Sequence, residues 1–502
     1  MADLLLRNAR LVPVGPGDDV PGHPVDVLVE HGTVTAVGIG VSSPAVAQEI
    51  EAGGRWLVPG LWDQHVHLGQ LTLASRRLDL APARSPEDAT GMVAERLADH
   101  PGDPVVGWGH RSAGWDRDVT TSELDAVSGS TPVVLISGDG HHGWLNTRAM
   151  VLLGIAVRDE VVREAEWFAT YPRLATVDGS DGTSPAAYRR TLDAAAAVGV
   201  VGLVDFEAGN GPSTWSQRWG EGCDRLRIRA STYADSLEDV IGTGLRTGAT
   251  IPGCDDRATM GPLKIISDGS INTRTAWCCA PYAGTRPLEH PCGQPNLSAD
   301  ELRRLMIRAH SAGLEVATHA IGDAAVAEAL AAYAETGARG SIEHAQLVGC
   351  DDVRRMAELG IRASVQPAHL LDDRDLTETV WGDRSARSFA FRWMLADDVT
   401  LVLGSDAPVS PLDPWLAMAA AVHRSADDRD AWHPEQALTA QEALAASVDG
   451  QPTVQPGSRG DLVLLDADPL VQGTDAAVGA ALRAMPPAAL TVVAGIVVHS
   501  TV

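Results

Sequence analysis

The chain has 502 residues, 45% of them hydrophobic, and a mean hydropathy of −0.02. These values are typical of a soluble globular protein with a large core. The formal net charge of −27 argues against nucleic acid and against an anionic membrane surface as partners, because both attract basic proteins.

The N-terminal sequence MADLLLRNARLVPVG has an apolar stretch that is too short and too interrupted for a signal peptide. No later run reaches the roughly 18 uninterrupted apolar residues that a membrane span requires. The six cysteines include no CxxC spacing, which excludes a disulfide framework or a zinc ribbon. We therefore expect a cytoplasmic protein that acts on a small-molecule substrate, without a membrane or nucleic-acid partner. The sequence leaves the oligomeric state open, and a homo-oligomer is among the states it allows.

Short strand-like runs occupy both ends of the chain. DLLLRNARLV, DVLVEHGTVTAVG and RWLVPG lie near the start, and DLVLLDADPL and LTVVAGIVVHS lie near the end. Chain termini often lie close together in space. We therefore predict that residues 1–58 and 457–502 form one small β-sandwich domain, which leaves residues 59–456 for a second domain.

The second domain contains eight apolar runs that each end in a polar or Gly-rich loop. They cover residues 57–67, 200–207, 226–234, 262–270, 314–323, 340–348, 361–370 and 399–409. Helix-like segments, such as SADELRRLMIRAHSAG and DDVRRMAELG, separate several of these runs. This alternation predicts an α/β fold, a (β/α)8 barrel of the TIM type, with its chemistry at the C-terminal ends of the strands.

The connection between the first two runs is far longer than a strand-to-helix unit needs. It covers about residues 70–195 and contains strand-like pieces of its own, PVVGWGH and TPVVLISGDGHHGW. We predict that this segment is an inserted subdomain that sits over the mouth of the barrel.

Potential metal ligands fall at the ends of five of the predicted barrel strands. They are His65, His67, Lys264, His319, His344 and Asp406. The two histidines of DQHVH are two residues apart on a strand, so their side chains share a face. Each ligand alone has an ordinary structural explanation, such as a hydrogen-bonded buried histidine or an aspartate in a turn. Their common position at one rim favours a site for Zn²⁺ or a similar ion.

Lys264 is the only lysine among the 39 Lys and Arg residues of the chain. A buried lysine can lose its proton, whereas an arginine stays charged. An arginine here would place a permanent cation beside the metal ions. A lysine inside a barrel is also typical of Schiff-base lyases and aldolases. That alternative leaves the four histidines and Asp406 without a role.

The motifs along the chain resemble those of the amidohydrolase superfamily, and most of all its YtcJ-like, amidohydrolase-3 group. They are VPGLWDQHVH, DGS followed by RTA, THAIGDAAV, SIEHAQLV, SVQPAHL and LGSDAPVSPLDPW. LDAVSGSTPVVLISGDGHHGWLN in the insert and GSRGDLVLLDADPL near the end also match that group. The resemblance extends over essentially the entire chain, with the motifs in the same order.

The resemblance implies one or two divalent metal ions, expected to be Zn²⁺, at the barrel mouth. By this analogy, His65 and His67 bind one ion, His319 and His344 can bind a second, and a carboxylated Lys264 bridges them. Asp406 is expected to bind metal and to act as general base and then general acid. The implied reaction is hydrolysis of a C–N bond in an amide, formamide, cyclic amide or carbamate. An esterase or lactonase at the same site and a non-catalytic scaffold of the same fold are the alternatives.

Three further residues are candidates for contact with the substrate. His141 matches a histidine of the family's insert motif, Arg274 could orient an anionic group or pair with Asp268, and His369 follows the seventh strand. The loop that reads DGSLGSRTA in many members reads DGSINTRTA here, with a change at each of residues 271–273. The substrate specificity of the family therefore does not transfer to this chain.

Overall fold

The computed structural model describes residues 4–42, 48–74, 77–178, 183–209, 211–284, 288–425 and 427–502. Three sheets organise these residues: one of eight strands built from both ends, one of five strands, and one of eight strands that forms a barrel. Within the same ranges, no helix has the length and apolar character needed to cross a membrane.

Strands and helices alternate through the middle of the chain, and strands dominate at its ends. In the described ranges, the strands are β1 (Leu4–Leu11), β2 (Val25–Glu30), β3 (Thr33–Gly38), β4 (Gln48–Glu51), β5 (Trp56–Pro59), β6 (Leu61–Val66), β7 (Leu78–Asp79), β8 (Val105–His110), β9 (Val133–Ser137), β10 (His142–Leu145), β11 (Val162–Arg163), β12 (Val200–Asp205), β13 (Arg227–Thr232), β14 (Ala258–Ile266), β15 (Val316–Ala320), β16 (Gly340–His344), β17 (Arg362–Val365), β18 (Leu401–Leu403), β19 (Leu462–Leu465), β20 (Leu490–Val493) and β21 (Ile496–Ser500). The helices are α1 (Leu68–Ala74), α2 (Pro86–Asp99), α3 (Thr121–Ser128), α4 (Thr147–Leu152), α5 (Glu164–Thr170), α6 (Ala175–Asp178), α7 (Pro185–Ala197), α8 (Pro212–Gly220), α9 (Leu237–Thr243), α10 (Ala299–Ser311), α11 (Asp323–Thr336), α12 (Cys350–Leu359), α13 (Leu370–Trp381), α14 (Phe391–Ala396), α15 (Pro414–His423), α16 (Ala440–Ser447) and α17 (Asp475–Arg483). Short 3-10 turns cover Ser112–Gly114, Tyr171–Leu174, Pro367–His369, Gly382–Arg387 and Pro434–Gln436.

The barrel sheet runs β6, β12, β13, β14, β15, β16, β17 and β18, and each strand pairs in parallel with the next. Strands such as β12 and β16 are buried at every position, because helices cover the barrel outside and side chains fill it inside. Seven of the eight apolar runs in the sequence contain one of these strands, and the run 262–270 overlaps the end of β14 (Ala258–Ile266). The predicted (β/α)8 barrel is therefore confirmed.

The barrel closes where the chain beyond β18 returns to β6. The backbone N–H of Asp406 donates to the carbonyl of His65 at 2.7 Å. The buried carboxyl of Asp63 accepts from the backbone N–H groups of Ser405 at 2.9 Å and His65 at 3.1 Å. A Cβ atom at Gly404 would lie 2.8 Å from the backbone nitrogen of His65, so this approach requires glycine. The closure brings the first and last barrel strands into direct contact at the mouth.

The two ends of the chain meet in one sheet, ordered β21, β20, β19, β5, β1, β2, β3, with β4 also paired to β1. β1 pairs with β2 and β4 along its first residues and with β5 along its last. Side chains from both ends form one hydrophobic cluster that includes Leu4, Leu6, Leu57, Leu464 and Val492. The predicted boundaries at residues 58 and 457 stay predictions, because the chain passes from β5 into β6 through a single glycine.

The long connection after β6 carries the five-stranded sheet, ordered β11, β10, β9, β8, β7. Its β8 region reaches the loop that follows β18. The indole N–H of Trp108 donates to the carbonyl of Pro408 at 3.3 Å, and the guanidinium of Arg111 donates to that of Val409 at 3.0 Å. The inserted segment thus contacts the barrel mouth.

A largely buried carboxylate, that of Asp449, links the barrel to the segment that leads into β19. Asp449 accepts two hydrogen bonds from Arg229 of β13 at 2.8 and 2.7 Å, one from Arg459 at 3.0 Å and one from Gln64 of β6 at 3.0 Å. Burial disfavours the ionised carboxylate, but the charges of Arg229 and Arg459 hold the pKa of Asp449 below its usual value.

We expect Asp449→Asn to lower the free energy of unfolding by about 1–3 kcal/mol at neutral pH, because two arginines lose their charged partner. Because the pKa of Asp449 is lower in the folded state, its ionised carboxylate stabilises the fold at pH values above the unfolded pKa of about 3.9. This stabilisation disappears as the pH falls through the folded-state pKa. The difference between variant and wild type, measured by urea unfolding, should therefore shrink toward low pH. Asp351→Asn is the control, because its carboxylate pairs with Arg354 while its side chain is 94% exposed. A difference that is unchanged at low pH would contradict this role.

Candidate metal centre and active site

One cavity of about 110 Å³ lies at the C-terminal ends of the barrel strands. All of the predicted metal ligands line it, together with two of the predicted substrate contacts: His65, His67, Lys264, His319, His344, Asp406, His141 and His369. Arg274 does not line this cavity and lies in a neighbouring cleft with Thr273 and Glu289. Nor does it pair with Asp268, whose oxygens accept from backbone N–H groups and face His319.

His65, on β6, is held in place by the carboxylate of Glu343, on β16. Its Nδ1 donates to Glu343 Oε2 at 2.8 Å, and both side chains are 1% exposed. Because Nδ1 carries the proton, the lone pair of Nε2 points toward Lys264 Nζ at 3.0 Å and Asp406 Oδ1 at 3.4 Å. Burial and the charge of Lys264 hold the pKa of His65 well below its usual value, so the ring is neutral. This is the tautomer and charge state of a metal-binding imidazole.

Asp406 presents its two oxygens to different histidines. Oδ1 lies 3.2 Å from His67 Nε2, and Oδ2 lies 3.8 Å from His369 Nε2. The backbone of Asp406 has φ +58°, a left-handed conformation that is unfavourable for an L-residue. Burial disfavours the charged form, but the polar contact with His67 Nε2 holds the pKa of Asp406 well below its usual value. The carboxylate is therefore ionised.

His319 is the penultimate residue of β15 and His344 is the last residue of the adjacent β16, and their ring centroids are 4.6 Å apart. His319 Nε2 lies 3.3 Å from the carbonyl oxygen of Gly269 and 3.4 Å from Asp268 Oδ1. His344 has φ +71°. Burial lowers the pKa of His319 to about 3 and that of His344 well below its usual value. Both rings are neutral and can act as nitrogen donors.

Lys264 lies on β14 with its side chain inside the barrel, and the residue is 3% exposed. Its Nζ lies 4.2 Å from the centroid of the Phe206 ring. Burial lowers the pKa of Lys264 to about 8, although the carboxylates of Glu343 and Asp406 oppose the shift. A useful fraction of the amine is therefore neutral near pH 7 to 8.

The side chains of this cavity fit a divalent cation. Within the described ranges, two groups of three side chains hold their ligand atoms within 4.8 Å of one another: His65, His67 and Asp406, and His344, His369 and Asp406. Four of their buried atoms have no hydrogen-bond partner in the described part of the chain: His67 Nδ1, His344 Nδ1, His369 Nε2 and Asp406 Oδ1. An unpaired buried polar atom costs about 1–3 kcal/mol, and imidazole nitrogens and carboxylate oxygens are ligands that Zn²⁺ accepts.

The inserted segment contributes His141 to the wall of the cavity. His141 Nδ1 lies 3.2 Å from Glu164 Oε2, and the other oxygen of Glu164 accepts from Thr273 at 2.6 Å and Thr275 at 2.9 Å. Burial disfavours the imidazolium, but the charge and hydrogen bond of Glu164 raise the pKa of His141 to about 9. A cationic side chain from the insert therefore faces the same space as the neutral histidines.

Two carboxylates of the site, Glu343 and Glu164, are not predicted by the sequence analysis. The sequence offers a reason to predict Glu343, because it is a charged residue in the middle of an apolar run and directly precedes His344. It offers no reason to predict Glu164, because its partner Thr273 is 109 residues away and neither residue lies in a recognisable motif.

The sequence model of the amidohydrolase family matches residues 48–499. Protein LONG AFTER FAR-RED 3 of Arabidopsis thaliana is 25% identical, with alignment over 93% of this chain and 84% of that protein. N-substituted formamide deformylase of Arthrobacter pascens is 27% identical over 94% of each chain. Among solved structures, an uncharacterized metal-dependent hydrolase from Pyrococcus horikoshii is 25% identical, with a TM-score of 0.76 over 94% of this chain and 99% of that one.

We expect Glu343→Gln to weaken metal binding by about 10–100-fold, because the amide cannot hold the Nδ1 proton of His65 as a carboxylate does. The measurement is competition of the purified protein with a chromophoric chelator for added Zn²⁺. Glu315→Gln is the matched control, because Glu315 pairs with Arg362 at 2.6 Å and directly precedes the start of β15, away from the mouth. Equal affinities for the Glu343 variant and wild type would exclude this orienting role.

Proposed function

Because the chain belongs to the amidohydrolase family, we propose that it is a metal-dependent hydrolase that cleaves a C–N bond of a small amide, formamide, cyclic amide or carbamate. The observation that carries the proposal is the meeting of four strand-end histidines, Lys264 and Asp406 in one buried cavity. The similarity to an N-substituted formamide deformylase over 94% of both chains supports C–N rather than C–O cleavage.

The proposal assigns His65, His67 and Asp406 to one divalent cation, and His319 and His344 to a second. Zn²⁺ suits this set of imidazole and carboxylate ligands. When bound, such an ion supplies Lewis acidity that polarises a carbonyl group and lowers the pKa of a coordinated water to about 7.

Lys264 serves in this proposal as a carbamate. Its neutral amine forms an N–C bond to CO₂, and the nitrogen gives up one proton to solvent, which leaves an anion with two oxygens. Burial favours the reaction, because it lowers the pKa of Lys264 to about 8 and so supplies neutral amine. The chain has no second lysine that could replace it.

Asp406 is the proposed proton carrier. Its ionised carboxylate accepts the proton that the attacking water loses and then passes it to the departing amine nitrogen. The hydrogen bond between its own backbone N–H and the carbonyl of His65, 2.7 Å long, keeps it at the rim during both transfers.

The insert and the loop after β14 supply the proposed substrate-facing wall. His141, oriented through Nδ1 by Glu164, has Nε2 left to donate to an oxygen of the substrate. Phe168, Ile271 and Ile321 give the same cavity apolar surface, which excludes water from around the scissile bond.

The proposal is tested with a panel of N-alkyl formamides, lactams, carbamates and matched esters on the Zn²⁺-loaded protein. We expect hydrolysis of at least one C–N substrate, its loss on metal removal, and its loss in Lys264→Ala. Added acetate or propionate should partly restore Lys264→Ala by replacing the carbamate oxygens. Thr259→Ala, earlier on the same strand, is the control. Full activity of Lys264→Ala without added carboxylate would contradict the bridging role, and turnover of esters alone would reassign the reaction.

We expect His141→Gln to reduce kcat/KM by about tenfold, mainly through KM, because a donor to the substrate oxygen is lost. Glu164→Gln should give a smaller change in the same direction, because it only orients that donor. The readout is steady-state kinetics together with metal content, which both variants should keep. His100→Gln serves for comparison, since this histidine is exposed at the end of α2. Loss of metal without a change in KM would contradict the assignment.

A further inference from the structure

His369 is not among the six metal ligands that the family resemblance implies, yet it lines the same cavity. It ends the 3-10 turn Pro367–His369 after β17, and α13 begins at the next residue. Its backbone N–H donates to the carbonyl of Gln366 at 3.1 Å. The residue is 9% exposed, so this short turn places the ring inside the barrel mouth.

The ring of His369 is aimed at Asp406 and stacked on His344. Its Nε2 lies 3.8 Å from Asp406 Oδ2, and its ring centroid lies 5.9 Å from that of His344 at an interplanar angle of 22°. Nε2 is buried and has no hydrogen-bond partner in the described part of the chain. At 3.8 Å the contact with the carboxylate is too long for a hydrogen bond.

The same three residues meet the geometric requirement for a shared ion. The ligand atoms of His344, His369 and Asp406 lie within 4.8 Å of one another, just as those of His65, His67 and Asp406 do. His319 belongs to neither group. Its Nε2 also has oxygen acceptors already, at 3.3 Å in Gly269 and 3.4 Å in Asp268. The unpartnered nitrogen nearest to Asp406 Oδ2 is therefore that of His369.

We propose that His369 is a further ligand of the cation assigned above to His319 and His344, and not only a contact for the substrate. Asp406 would then serve both groups of histidines, because its Oδ1 faces His67 and its Oδ2 faces His369. The inference rests on the proposed function in that it requires a metal site, but it does not depend on which bond is cleaved.

The test measures metal binding directly, in full-length protein stripped with chelator and titrated with Co²⁺ and Zn²⁺. Wild type should take up about two equivalents per chain. In His369→Ala and His369→Gln the affinity of one equivalent should fall by at least about tenfold, with a changed visible Co²⁺ spectrum. His344→Ala should act on the same equivalent, and His310→Ala, an exposed histidine on α10, should act on neither. Circular dichroism and thermal unfolding check that the variants fold.

Unchanged affinities and an unchanged Co²⁺ spectrum in both His369 variants would overturn the inference, and a raised KM in that case would assign His369 to the substrate. The proposed function fails by a different result. If the wild type binds metal and the metal affinity falls in the His369 variants, the ligand inference stands. If the same wild type hydrolyses no C–N substrate, the proposed reaction is overturned while the ligand inference still stands. If wild type binds no metal, both are overturned.

Discussion

The join between the end of β18 and β6 is the contact on which the candidate metal centre depends. A backbone hydrogen bond of 2.7 Å ties Asp406 to His65, and the buried carboxyl of Asp63 accepts from the backbone on both sides of the seam. Barrel closure therefore also sets the distance between a carboxylate and two imidazoles. The left-handed φ of +58° at Asp406 is held by the same hydrogen bonds, so strain at the rim is offset by the closure of the sheet.

Burial gives the site its chemical character. The imidazoles of His65, His319 and His344 are neutral, the lowered pKa of Lys264 makes its amine easier to deprotonate, and Asp406 stays ionised. The neutral imidazoles supply lone pairs and Asp406 supplies negative charge, and a dication needs both. Elsewhere the chain carries its positive charge on arginine, often in ion pairs such as Arg229 with Asp449. The single lysine thus lies inside the candidate site, whereas arginine carries the positive charge elsewhere in the chain.

Residues of the insert line the side of the cavity that faces away from the strand ends. Glu164 connects His141 to Thr273 and Thr275, and Asp139 accepts from Ser270 at 3.0 Å. These contacts attach the insert to the loop that departs from the family pattern at residues 271–273. A change in that loop therefore moves the cationic His141 as well as the local wall, which couples two parts of the substrate surface that are distant in sequence.

The sequence by itself determined the barrel and the six candidate ligands that line its mouth, because apolar runs, their length and a two-residue histidine spacing are local properties of the chain. Only the tertiary structure decided which other residues meet these side chains. Glu343 orients His65, His369 faces Asp406 Oδ2, and Arg274 lies in the neighbouring cleft. These outcomes depend on how each strand is rotated about the barrel axis and on the path of each loop. Both are set by contacts between residues far apart in the chain, which no local periodicity encodes.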